Sequence, residues 1–350
     1  MGLLFSNIPG CCVLKSFCHF NYYLQNMKIA LQSFIIILCI IGLAPPTGAF
    51  SLDGPLQVRN LFPLTLHAGQ PAPERAALED SLTAAISHSS TYLVGGSSSW
   101  SIKLDMEVTE ISLRYRRVVA DSLELGISLP VLILSNGFMD GFLDAYHSSF
   151  GFPDYGRSKR PLNSFLYKVR RGGDLIVKGR NGIGPGDIGL SLKRSMIDSD
   201  RVNLSVKAHI ELPTGDAKGG YGNGSVDAGL SVLADIPIRE DILTIWNIGV
   251  VFPGRLKGYE SVDLKDFLYG TVAVEALLGK RLGLVLQLQG HSRILPETGI
   301  SSVDGNALLV SLGGRYYGEK GSLELSLTED LNTTAAPDFI LNIGYKIKLP

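Results

Sequence analysis

The sequence predicts an all-β fold: an antiparallel transmembrane β-barrel of about twelve strands, with fourteen as the alternative. Three observations carry this. Apolar and polar residues alternate with a period of two over a dozen stretches, most near the ~9–11 residues that a tilted membrane strand needs. The connections between them alternate between short and long, the layout of inner turns and outer loops. A secretion-type apolar segment precedes them all.

That segment comes first in the chain. Lys28 and the apolar run Ile29 to Ala44, followed by Pro45, Pro46 and the small residues Thr47-Gly48-Ala49, read as a signal peptide cut after Ala49. At 16 residues the run is shorter than the ~20 a membrane helix needs. Residues 1–49 are therefore an extension plus signal, 50–96 a pre-barrel segment, and 97–350 the barrel. Within 73–86, Leu78, Leu82, Ala85 and Ile86 share one helical face, which suggests a short helix in the periplasm or plugging the lumen.

The clearest strand is "RVNLSVKAHIELP" (201–213). Val202, Leu204, Val206, Ala208, Ile210 and Leu212 fall on one face; Asn203, Ser205, Lys207, His209 and Glu211 fall on the other. Stretches 98–106, 109–119, 122–133, 187–196, 225–235, 242–252, 267–278, 281–290, 306–317, 320–330 and 338–349 repeat the pattern. "FLYKVRRGGDLIVKG" (165–179) offers one more hairpin, turning at Gly172-Gly173, and gives the count of fourteen. A soluble β-sandwich would also alternate. The long strands, the small polar residues on their second face and the secretion signal favour a barrel.

Net charge is -1 for the whole chain, and losing Lys15 and Lys28 leaves 30 basic against 33 acidic residues. No basic field argues for nucleic acid. All four cysteines (11, 12, 18, 39) precede the cut, so the remainder has no disulfide and no cysteine-bound metal. The histidines show no ligand spacing, and no cofactor is expected. The glycine-rich "PTGDAKGGYGNG" joins two strands and opens no helix, so it lacks the setting of a phosphate-cradling loop and reads as an outer loop.

The long loop after residue 133 breaks the period of two. Phe138, Phe142, Tyr146 and Phe150 recur every four residues, which predicts a short amphipathic helix acting as a constriction over the lumen. Asp144 and His147 would be neighbours on it, with Ser148 and Ser149 beside them. Nucleophilic catalysis also needs a base within reach and an oxyanion site, and neither is legible, so no enzyme is expected.

Four segments occur in order: "GPLQVRNLFPL" (54–64), "GFMDGFLDAYHSSFGFPDYGRSKRPLNSFLY" (137–167), "GIGPGDIGLSLK" (182–193) and "ELPTGD" (211–216). Together they resemble the bacterial family called domain of unknown function 3187. The resemblance implies a β-barrel in the outer membrane of a Gram-negative bacterium and carries over no catalytic residue. Outer-membrane barrels usually end in an aromatic residue that the barrel-assembly machinery reads. Here the alternating series Tyr345, Ile347, Leu349 is present, but the chain ends in Pro350.

The expected lumen face includes Arg114, Arg116, Lys207, His209, Glu211, Asp227, Gln287 and Gln289, with Lys103 and Asp105 from the stretch 98–106. Mixed signs predict no strong ion preference. The expected role is a passive channel or binding barrel for small solutes, surrounded by outer-membrane lipid. The alternatives are a closed structural or interaction barrel and, less in keeping with the sequence, a membrane-embedded lipid hydrolase.

Overall fold

The computed structural model describes residues 52–141, 145 and 161–349. The stretch 1–49, with the cleavage site expected after Ala49, lies outside the described residues. So do Phe142, Tyr146, Phe150, His147 and most of the helix expected around them.

β1 (Ser81–Gly96), β2 (Trp100–Ala120) and β3 (Leu123–Ser135) open the barrel wall. The loop after them holds β4 (Leu166–Arg171), β5 (Asp174–Lys178) and β6 (Gly182–Pro185). β7 (Ile188–Asp198), β8 (Asn203–Leu212), β9 (Asp227–Arg239) and β10 (Ile242–Phe252) continue the wall. β11 (Leu256–Lys257) and β12 (Ser261–Val262) form a small loop hairpin. β13 (Phe267–Leu278), β14 (Leu282–His291), β15 (Ala307–Tyr317), β16 (Gly321–Asp330) and β17 (Phe339–Lys348) complete the wall. Wall strands pair antiparallel with their neighbours. β17 returns to β1, from Ser81 opposite Lys348 to Ser90 opposite Phe339, so twelve strands close the barrel.

The count of twelve arises differently from the sequence expectation. The stretches 98–106 and 109–119 are one 21-residue strand, β2. β1 occupies 81–96, so the barrel begins at 81 rather than 97, and residues 81–86 are strand rather than helix. β2 looked like two strands because its apolar face changes side. In its first half Ile102, Leu104, Met106 and Val108 are buried inside. In its second half Ile111, Leu113 and Tyr115 face outward, and Glu110, Arg114 and Arg116 are the buried ones. Lys103 and Asp105 therefore lie on the outward side of β2, not in the lumen, and Lys103 is exposed. The 165–179 hairpin exists as β4–β5, turning at Gly172 and Gly173 with φ of 57° and 94°. It pairs with Trp100–Asp105 at the loop end of β2 and adds no wall strand.

Outside, Leu113, Leu192, Val206, Leu230, Ile248, Leu312, Leu325 and Ile343 are exposed apolar side chains on eight different wall strands. Tyr115, Tyr316 and Tyr345 stand outward near the short-turn end, where an aromatic girdle meets the lipid headgroups. No water hydrogen-bonds backbone in a bilayer core, and a closed barrel leaves no wall strand unpaired there. Leu325 sits midway along β16. We expect Leu325→Arg to lower the unfolding free energy by about 2–4 kcal/mol, read in urea titrations of lipid-reconstituted protein, whereas a soluble surface position would barely respond.

Candidate functional site in the barrel lumen

Residues 52–80 enter the barrel at the short-turn end, reach the loop end and come back. Asp53 marks the entry: its N–H donates to the Tyr317 hydroxyl (3.0 Å), and its carboxylate accepts from Ser322 and lies near Lys346. The Gly54 N–H donates to Glu275, and Arg315 reaches the carbonyls of Gly54 and Pro55 at 3.0 and 3.3 Å. Arg315 also pairs with Glu275 and Glu324. Higher up, Gln57 accepts from Arg114 (3.2 Å), and Arg59 donates to Glu110 (Nε–Oε2 3.0 Å). The apex turns over Phe62–Leu66 with local N–H to O=C bonds. The returning arm passes Gly69, whose carbonyl accepts from His209 Nε2 (2.9 Å). It ends on Glu74, Arg75 and Glu79. The pre-barrel segment, which sequence left between periplasm and lumen, thus fills the lumen as a hairpin without regular secondary structure.

The two halves of this hairpin meet different surroundings. At the loop end Leu56, Val58, Leu61, Phe62, Leu64 and Leu66 join the largest apolar cluster, together with β2 and with loop residues such as Tyr167, Tyr221, Ile300 and Ala335. The Tyr167 hydroxyl donates to the Pro63 carbonyl (2.9 Å), and Asn60 donates to the Ala335 carbonyl (2.7 Å). In the outer loop 293–306, burial pushes the Asp304 carboxyl up. N–H bonds from Thr298 and Gly299 outweigh that and hold it below its ordinary range.

Toward the short-turn end the contacts are ionic. Glu74 is surrounded by Lys207, Arg116 and Lys193. Its backbone is held twice by Asn247, at 2.9 and 3.0 Å. Asp235 accepts from Arg75 Nε and from the N–H groups of Ala76 and Ala77, each at 3.0 Å. Glu79 takes Arg116 and Lys346, and Lys193 also meets Glu124 at 3.0 Å. Buried charges of this kind persist because each has an opposite partner.

Of the residues expected on the lumen face, Arg114, Arg116, Lys207, His209, Glu211, Gln287 and Gln289 are buried on inward-facing strand positions. Arg114, Arg116, Lys207 and His209 contact the hairpin directly, Glu211 lies 3.6 Å from Arg59, and Gln287 donates to the Leu56 carbonyl (3.3 Å) and to Gln289. Asp227 is buried too, but its bonds go to Asn223 and to the Gly254 N–H, so it fastens an outer loop. Of the four constriction aromatics only Phe138 is described. Its ring stacks on His88 at 5.1 Å, on the outward side of β1, and so does not overhang the lumen. Sequence reasoning passed over Arg59, Glu74, Arg75, Asp187, Asp235, Glu275 and Arg315. Only for the strand residues was there a signal, a charge at an inward position between apolar outward ones.

The glycine-rich loop has a structural task. Ser128 pairs with Gly189 and Val131 with Pro185, so Gly186, Asp187 and Ile188 oppose only Leu129 and Pro130. This bulge turns Asp187 inward. Its carboxylate accepts the N–H of Gly215 (2.8 Å) and of Asn223 (3.0 Å). Thr214 accepts from the Ile188 N–H and donates to the Gly186 carbonyl. "GPGD" and "PTGD" thus tie to each other.

An opening lies beside the returning arm of the hairpin. Between Gly69–Glu74 and the wall of β2, β3, β7 and β8 lies a cavity of about 80 Å³. On the β3 and β7 side its wall is thin in side chains, with Gly126, Ser128, Gly189 and Ser191 facing it. Gln70, Pro71 and Ala72 on the hairpin side are half-buried, so solvent reaches it.

A closed antiparallel barrel with an apolar outer belt and a charge-laced interior is an outer-membrane β-barrel protein. The chain belongs to the family of proteins of unknown function DUF3187, whose profile matches residues 31–349. Among solved structures it is similar to the COG4313 outer membrane channel from Pseudomonas putida F1, at 15% identity and TM-score 0.50, over 78% of this chain and 96% of that one. It is also similar to the NanC porin, at 7% identity and TM-score 0.46, over 77% of this chain and all of that one (100%). At these identities the likeness is one of fold. No curated protein matches the sequence.

Proposed function

We propose that the chain is a passive outer-membrane channel for small solutes, closed in this conformation by its own hairpin 52–80. The observation that carries this is the polarity of the hairpin's seat. Toward the short-turn end the hairpin rests on ion pairs and hydrogen bonds, whose partners water can replace, and a cavity open to solvent runs alongside it. The protein acts by passage, not by turnover, with lipid around it and no cofactor.

The test is single-channel conductance of residues 50–350 refolded into planar bilayers, beside a variant lacking 52–78. Small or rare steps in the first and large, steady steps in the second are expected. The filled outer half of the lumen favours a second reading, a closed barrel that works by contact. Silence from the deletion variant, when its gel shift on heating shows a folded barrel, would replace the channel by that reading.

A further inference from the structure

We propose that the cavity beside the returning arm is a binding site for a small, uncharged solute rich in hydroxyl groups. The inference rests on the channel reading for its role in passage, but binding itself can be measured without passage. Size comes first. A water needs ~10–15 Å³ of such space, so about 80 Å³ holds roughly five to eight waters, or one molecule of about that many non-hydrogen atoms.

Charge decides the class. Arg59, Arg114, Arg116 and Lys207 line the cavity, and so do Glu74, Asp187 and Glu211. Most already have partners: Lys207 and Arg116 on Glu74, Arg59 on Glu110, Asp187 on backbone N–H groups. A cation entering would meet four positive side chains, and an anion three carboxylates. Glu211 lies against Arg59 and Arg114 against Glu110, so either ion would give up hydration among charges already set against opposite partners.

The free valences point to hydroxyls. His209 Nε2 donates to the Gly69 carbonyl, which in the neutral ring leaves Nδ1 as an acceptor, and Nδ1 has no partner in the protein. Glu211 Oε2 has none either. Both residues are only 7% exposed, and both line the cavity. They are two apart on β8, so their side chains point the same way. Two adjacent buried polar atoms without partners call for a ligand that brings hydrogen-bonding groups in pairs. The Ser128 and Ser191 hydroxyls opposite can donate or accept. A vicinal diol or longer polyol supplies donors and acceptors together and brings no charge.

The experiment is titration calorimetry on refolded 50–350 in detergent, with erythritol, ethylammonium chloride and sodium lactate as probes. Saturable heat is expected with erythritol alone. Glu211→Ala should weaken it about threefold to tenfold, the usual size for one lost hydrogen bond. Ser128→Phe, which fills the cavity, should abolish it. Ser191→Phe serves as a second filling variant should the first fail to fold. No saturable erythritol heat from protein that shifts on gels when heated would overturn the proposal. So would tighter binding of either ion, or unchanged heat in a folded filling variant. Conductance without erythritol binding sinks this inference and leaves the channel. Erythritol binding without conductance sinks the channel and leaves the site.

Discussion

Glu74→Ala is expected to loosen the hairpin more than any other single substitution within it. The residue is 2% exposed, and Lys207, Arg116 and Lys193 converge on its carboxylate. Removing it strands Lys207, whose ion pair is with Glu74, and leaves Arg116 with Glu79 and Lys193 with Glu124. Breaking a buried ion pair from one side costs about 3–5 kcal/mol, and most of that is the uncompensated partner. The readout is protease sensitivity of residues 52–80 in folded barrels, which should rise while the heat-induced gel shift of the barrel persists. Glu74→Ala with Lys207→Met should recover part of the loss, because one stranded charge goes with its partner. Equal sensitivity in wild type and Glu74→Ala would show that the hairpin is held by its apolar apex instead.

Asp187→Ala should release the outer loop 213–226. Asp187 is 2% exposed and accepts two backbone N–H groups from that loop. Hydrogen bonds to a charged acceptor contribute about 1.5–3 kcal/mol each, and the Asn223 N–H would be left buried without this partner. Lys218, exposed within the loop, gives trypsin a cleavage site. Cleavage there should speed up at least about tenfold in the variant, since 1.4 kcal/mol already shifts an opening equilibrium tenfold. An unchanged rate would mean that the Thr214 bonds hold the loop on their own.

How much of this was legible in the sequence follows from where apolar residues sit. In the membrane half of each strand the apolar face meets lipid, and the period of two gives the strand directly, as in β8. In the loop half of β2 the apolar face meets the hairpin apex, so the phase inverts at Glu110 and one strand reads as two. β1 escaped for the opposite reason. Its outward Leu82 and Ile86, with the inward Ala85, are spaced closely enough with Leu78 to fit a helix, and its other inward positions are small and polar. The hairpin had no regular periodic signal, because it forms no regular element and its residues are fixed by several different wall strands. The lumen-facing side chains could be read from parity. What they touch could not, since every partner is far away in sequence. The loop glycines were legible as a loop, while their tie to Asp187 depends on a bulge that spacing alone does not reveal.

The hairpin enters and leaves by the same mouth. Asp53 and Glu79, its two ends, both meet Lys346. A doubled-back segment like this is not topologically linked to the ring of strands around it. No chain end has to thread the hole, whatever lies before residue 52. β1 and β17 can therefore zip together first and receive the hairpin afterwards, like a finger bent into a sleeve, and it can be withdrawn the same way without unpairing a single strand.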